Sequence, residues 1–303
     1  MTILSSFVSP RKVLREVSKE IPAKYHNKII IVGSLAAGYH LMSEMSNMQV
    51  RTKDIDCVLS PHTSAVVTGQ GITEGLLAAD WKHRTEGEYG KPGTADTPDD
   101  ELPVIRLHPP DNDTWFLELL TEPTSTKQKA REFERIRLSN GDYGLPSFRF
   151  TRISVFEAAG TEFGIRCAKP EMMVLANLFE NQSIKPDLIK GSEFHGHQLK
   201  RSNKDLGRVL SIARLTSTND WEKWIDYWEY ASKTCFPDEW RNLVKSSGSG
   251  LRELLNSETD FQEAYYSCIN SLLGSSGVTP DELKITGERL LTFTIEPFEA
   301  LAE

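Results

Sequence analysis

Ile29–Leu59 constrains this chain more than any other stretch. It opens on four β-branched residues, Ile29, Ile30, Ile31 and Val32, a run that favours a strand buried on both faces. Gly33-Ser34 stops the run. Gly33 permits a sharp turn and a close backbone approach. Ser34 can cap a following helix, whose first N–H groups have no partner within it, and Leu35–Met45 is compatible with that helix. Arg51-Thr52-Lys53 then leads into a second strand, Asp54-Ile55-Asp56-Cys57-Val58-Leu59. Alternation along a strand puts Asp54 and Asp56 on one face and Ile55 and Cys57 on the other.

This order of residues suggests a use. A helix start attracts phosphate. Two carboxylates on one face beside such a turn can hold a hard divalent cation, Mg²⁺ or Mn²⁺. Paired metals clamp the attacking and leaving oxygens of a phosphoryl displacement. The plain alternative is a buried strand, a surface helix and two solvated carboxylates. Glu118 also stands out, a charge inside the apolar run T-W-F-L-E-L-L-T. Buried carboxylates are rare without a partner.

A Gly-Ser turn, a helix and Asp-x-Asp on the next strand resemble the nucleotidyltransferase fold of the polymerase β-like superfamily. The wording R-T-K-D-I-D resembles more closely the AbiEii-type nucleotidyltransferases, toxins of abortive-infection and toxin–antitoxin systems. Two later pieces extend the resemblance. C-A-K-P-E-M-M matches a strand ending in a Lys that opens a helix, which carries over to Lys169. N-K-D-L-G-R-V-L matches a helical Lys-Asp pair, Lys204 and Asp205. In that family a second acid often follows one turn on, and here Gly207 and Arg208 stand there instead.

The resemblance implies transfer of a nucleoside monophosphate from an NTP to an acceptor, with release of pyrophosphate. Asp54 and Asp56 are then metal ligands, with Glu118 as the third acid. Gly33, Ser34 and Arg51 bind the nucleotide. Lys169 and Lys204 offset phosphate charge, and Asp205 positions a nucleophile, acts as base or orients a Lys. The implied acceptor is tRNA or another RNA, and the implied partner is a cognate antitoxin. The alternatives are a small-molecule nucleotidyltransferase of the antibiotic-modifying kind and a non-catalytic nucleotide-binding or regulatory module on the same fold.

Composition narrows the class. A net charge of -8 argues against a protein that coats nucleic acid through bulk charge, though not against a local basic groove. No apolar run approaches the roughly 20 residues that span a membrane. The start of the chain lacks a basic region before its short apolar part, so no secretory signal is expected. Cys57, Cys167, Cys235 and Cys268 form no Cys-x-x-Cys and read as reduced thiols of a cytoplasmic protein.

The expected architecture is α/β (α+β). A nucleotidyltransferase-like mixed sheet flanked by helices, 1–168, precedes a helical part, 169–303. Arg11–Ile21 is expected as a helix. Pro61–Trp81 reads as partly helical, interrupted at Gly69 and Gly71, and 86–101 as an acidic loop. Pro103–His108 and Thr114–Thr121 read as strands. Lys127–Arg137 reads as a short helix or basic flank. Phe148–Phe156 and Thr161–Ala168 read as a hairpin. Ser183–Gln198 reads as irregular, and its His195-Gly196-His197 as a polar loop, since no partner cluster completes a zinc site. Helices are expected at Leu199–Leu215, Asp220–Phe236, Asp238–Val244, Gly250–Leu273 and Pro280–Leu291. The rings of Trp221, Trp224 and Trp228 share helical spacing and are read as core before base-stacking.

Overall fold

The branched run Ile29–Ile31 becomes a strand with no more than 1% exposure at any of its residues. The computed structural model describes residues 6–42, 49–85, 90–127, 131–185, 187–194 and 197–303. In chain order, β1 (Ser6–Val8) and α1 (Pro10–Glu20) precede β2 (Ile29–Ile31). Then come α2 (Gly33–Leu41), β3 (Val50–Thr52), β4 (Asp54–Leu59), α3 (Ala65–Ala78), β5 (Lys82–His83), β6 (Arg106–His108), β7 (Phe116–Thr121), β8 (Arg131–Leu138) and β9 (Gly141–Phe148). A short α4 (Thr151–Ser154) and a small hairpin, β10 (Ala159–Gly160) with β11 (Arg166–Cys167), follow.

The chain packs as two units. One holds the described residues up to Ala36 together with Thr52–Ala168; the other holds Lys169–Glu303 and the described part of Ala37–Arg51. The first unit is built on a mixed nine-stranded sheet in the order β10-β11-β2-β4-β7-β6-β5, with β9 joining β7 and β8 pairing β9. β4 lies antiparallel to β2 and parallel to β7, so both of its edges are paired. α1 buries Val13, Leu14 and Val17, the apolar face its spacing predicts.

Several local expectations are corrected. Residues 131–138 form a strand, not a helix: β8 pairs with β9 along its whole length across a two-residue turn at Ser139-Asn140, and Gly141 takes a φ of +134°. Asn-Gly is the turn signal that the dense charge of this segment masked. α3 is not interrupted at its glycines, because they serve close packing. A Cβ on Gly69 would lie 2.8 Å from Ile136 Cδ1, and one on Gly71 would lie 1.9 Å from the Tyr25 hydroxyl. Residues 148–156 are not half of a hairpin; they end β9 and form α4, and the hairpin is β10–β11. Ser34 falls inside the first turn of α2 and not before it.

The second unit is mainly helical. It comprises α5 (Pro170–Glu180), a hairpin of β12 (Leu188–Phe194) and β13 (His197–Lys200), α6 (Arg201–Leu215), α7 (Thr218–Cys235), α8 (Trp240–Lys245), α9 (Ser249–Asn256), α10 (Glu258–Ile269), α11 (Pro280–Leu290) and α12 (Glu296–Ala300). The hairpin replaces the expected irregular segment; His195 and Gly196 lie outside the described residues. The long helix expected over 250–273 is two, because the Ser257 side chain accepts from the Asp260 N–H and starts α10. Trp221, Trp224 and Trp228 are buried, as core residues. Among the described residues no helix is long and apolar enough to cross a membrane. All four cysteines are buried and none forms a disulfide.

Trp228 is fully buried, its indole N–H donates to the Glu171 carbonyl at 2.9 Å, and its ring meets Phe298 edge-on at 5.3 Å. Trp228→Ala is expected to destabilise the chain by about 3–5 kcal/mol. Trp228→Phe keeps most of the volume and loses one hydrogen bond to a carbonyl that stays paired within α5, and should cost about 1 kcal/mol. Urea unfolding midpoints check both.

Candidate functional site

Register places three acids of the first unit on one face of its sheet. Along the parallel β4–β7 pair, Asp54 lies opposite Phe116 and Asp56 opposite Glu118. Residues abreast on neighbouring strands share a face, so Asp54, Asp56 and Glu118 share one. The opposite face of β4 carries Ile55 and Cys57, each at most 1% exposed. Asp54 and Asp56 are half-buried. The Thr52 hydroxyl donates to the Asp54 carbonyl and lies 3.0 Å from Asp54 Oδ1.

The Gly33 turn reaches the same spot. The Val32 N–H donates to the Asp56 carbonyl at 3.0 Å. Gly33 has a φ of +75°, and a Cβ built on it would lie 2.9 Å from Asp56 Oδ2. Glycine is required twice over, for the left-handed backbone and for the space. The nine-residue helix α2 starts at this turn, so its first N–H groups lie next to the Asp56 carboxylate.

Glu118 sits in a different environment from the aspartates. Arg106 of β6 is its register partner on the other side, and Arg106 Nε donates to Glu118 Oε2 at 2.5 Å. Burial pushes the Glu118 carboxyl up, Arg106 pulls it down, and Asp54 raises it further. Asp54 and Asp56 are hard oxygen donors of the kind Mg²⁺ takes, with water and phosphate oxygens able to complete the shell, so this pair fits a divalent cation. Among the described residues no three His, Cys, Asp or Glu side chains gather to hold a metal ion. The Arg106 partner was missed in the sequence, although a charge within an apolar strand calls for one, and Arg106 lies in the neighbouring expected strand.

The remaining predicted residues lie in the second unit. Lys169 stands just before the first residue of α5, donates to the Tyr227 hydroxyl at 2.6 Å and lies 4.6 Å from that ring's centroid. Both line a cavity of about 460 Å³ with Leu41, Glu171, Asp220, Lys223 and Trp224. Tyr227 and Lys223 carried no motif and were not singled out. Arg51 Nη1 donates to Asn270 Oδ1 at 2.7 Å, and its backbone N–H to the Ser271 carbonyl. Lys204 is exposed on α6.

Asp205, next along α6, is buried, with Arg208 Nη1 at 3.6 Å. Arg208 thus supplies a counter-charge to Asp205. Glu180, in the last turn of α5, has a buried Oε1 with no hydrogen-bond partner. Its carboxyl is pushed up to about 7, first by burial and then by Asp205, against the pull of Arg201 and Arg208.

No family model matches the chain. No curated protein matches it. Among solved structures it is similar to a STING-associated CdnE c-di-GMP synthase from Capnocytophaga granulosa, at 11% identity and a TM-score of 0.25, over 97% of this chain and 80% of that one. At that score the likeness carries no functional conclusion.

Gly33→Ala forces an L-residue into the left-handed region against a carboxylate. A loss of about 1–3 kcal/mol in urea unfolding is expected. Glu180 generates a second expectation. The folded chain keeps its proton to a higher pH than the unfolded chain, so between 4.5 and about 7 the folded state binds more protons and stability falls as pH rises. Glu180→Gln should flatten this slope, gaining at most about 3 kcal/mol over the parent at pH 8 and little at pH 4.5. Unfolding midpoints across that pH range check it.

Proposed function

We propose that this chain is a metal-dependent nucleotidyltransferase, moving a nucleoside monophosphate from an NTP to an acceptor hydroxyl with release of pyrophosphate. The observation that carries the reading is the closeness of the Gly33 turn to the Asp56 carboxylate. It supports one pocket where a phosphate chain can meet backbone N–H donors and a carboxylate-held cation together. The resemblance of G-S and R-T-K-D-I-D to the AbiEii-type nucleotidyltransferases agrees with it.

In this reading Gly33 and Ser34 offer the N–H groups of the first turn of α2 to the triphosphate. Asp54 and Asp56 hold Mg²⁺ or Mn²⁺. A cation held by these two carboxylates would supply charge neutralisation at the transferring phosphoryl group. Thr52 keeps the Asp54 side chain in place. Lys169 and Lys204 offset phosphate charge and Arg51 assists in binding the nucleotide, the roles the resemblance gives them. Lys169, beside Tyr227 and Trp224 in its cavity, is suited to a flat, charged ligand such as a nucleotide. Asp205, buried beside Arg208, suits orienting its neighbours better than taking a proton from a free acceptor. The acceptor is proposed to be RNA, tRNA included, with a cognate antitoxin as the restraining partner.

Incubation with each labelled NTP, Mg²⁺ and total cellular RNA tests the reading, with the label located afterwards. Label on RNA is the expected result; label on small molecules alone would remove the RNA acceptor, and no transfer to any acceptor would remove the activity. Asp56→Ala should lower transfer by about 10³-fold or more while leaving the unfolding curve close to that of the parent. Calorimetry should show NTP binding that weakens at least about tenfold when Mg²⁺ is chelated. Equal affinity with and without the metal would count against the carboxylate clamp.

A further inference from the structure

The third acid of the site face is already engaged. Arg106 and Glu118 are register partners on β6 and β7, joined by a 2.5 Å charge-assisted bond. Their side chains are only 19% and 16% exposed, so the pair is largely withdrawn from water. Such a carboxylate does not stand alone: stripped of its partner it takes up a proton or recruits another cation. Arg131 adds a weaker positive influence at the same carboxylate, and Asp54 a negative one. Asp54 and Asp56 share this half-buried face, and Asp56 lies against the Gly33 turn that starts α2.

We infer that Arg106 is a positioning residue that keeps Glu118 out of the metal site, so that without nucleotide the first unit takes one divalent cation, held by Asp54 and Asp56. The guanidinium supplies at Glu118 the positive charge that a second metal ion would otherwise bring. Unlike an ion, it does not exchange with solvent and does not depend on metal concentration. Its directed Nε–H bond holds the carboxylate in one orientation, which a mobile cation would not. This deepens the proposed nucleotidyltransferase reading and rests on it.

Mn²⁺ is the probe, counted by electron paramagnetic resonance of the free aquo ion against the full chain without nucleotide. The parent should bind one ion. Glu118→Gln, which keeps the shape and removes the charge, should also bind one, with affinity within about twofold of the parent. Arg106→Gln should gain a second ion, Arg106→Gln with Glu118→Gln should return to one, and Arg106→Lys should keep one. Circular dichroism reports whether each variant folds, and where Arg106→Gln does not, Glu118→Gln decides alone. Two ions in the parent, a tenfold loss of Mn²⁺ affinity in Glu118→Gln, or a single ion in folded Arg106→Gln each overturns the inference. The metal reading itself fails separately: a parent that binds no Mn²⁺, or Asp56→Asn that binds it as tightly as the parent, removes the site and the inference with it.

Discussion

β4 is the strand on which the first unit depends. It pairs with β7 along its whole length and with β2 over Cys57–Leu59, and the Val32 N–H extends that second edge to the Asp56 carbonyl. One face of it is fully apolar and buried through Ile55 and Cys57. The other carries two carboxylates, and a central strand can carry them only where the face stays partly open and the charge has partners. The start of α2, Thr52 and the tight Gly33 turn provide that setting. A side chain at position 33 would occupy the space that the Asp56 carboxylate holds.

The same electrostatic constraint governs the neighbouring strand. Glu118 is placed abreast of Asp56 by register, where a third negative charge is costly, and Arg106 from the next strand compensates it. The second unit shows the rule incompletely applied. Asp205 lies near Arg208, but Glu180 keeps one buried oxygen without a partner and holds its proton to near neutrality. Packing of α5 and α6 sets this, not local sequence. Trp228 meets the other demand of burial: its ring fills the core while its N–H finds a carbonyl.

Much of the first unit was legible because its signals are local. A run of branched residues, a Gly stop and strict alternation mark β2, the turn and β4 without reference to distant residues. Helix starts at Pro10, Pro170 and Pro280 were legible for the same reason. The misreadings fall where pairing or packing overrides composition. The charged run at 131–138 is a strand because β9 pairs with it, and α3 runs through Gly69 and Gly71 because Leu59, Ile136 and Tyr25 press against them. The hairpin β12–β13 had no clear alternation to announce it.

The sequence by itself determined that Asp54 and Asp56 share a face and that a phosphate-attracting turn stands between the two strands, because side-chain alternation and glycine's freedom are properties of a few bonds. Only the tertiary structure decided that the turn abuts Asp56, that Glu118 is held by Arg106, and that Lys169 meets Tyr227. Those are contacts between residues far apart along the chain, set by strand register and helix packing, and no local pattern encodes a register.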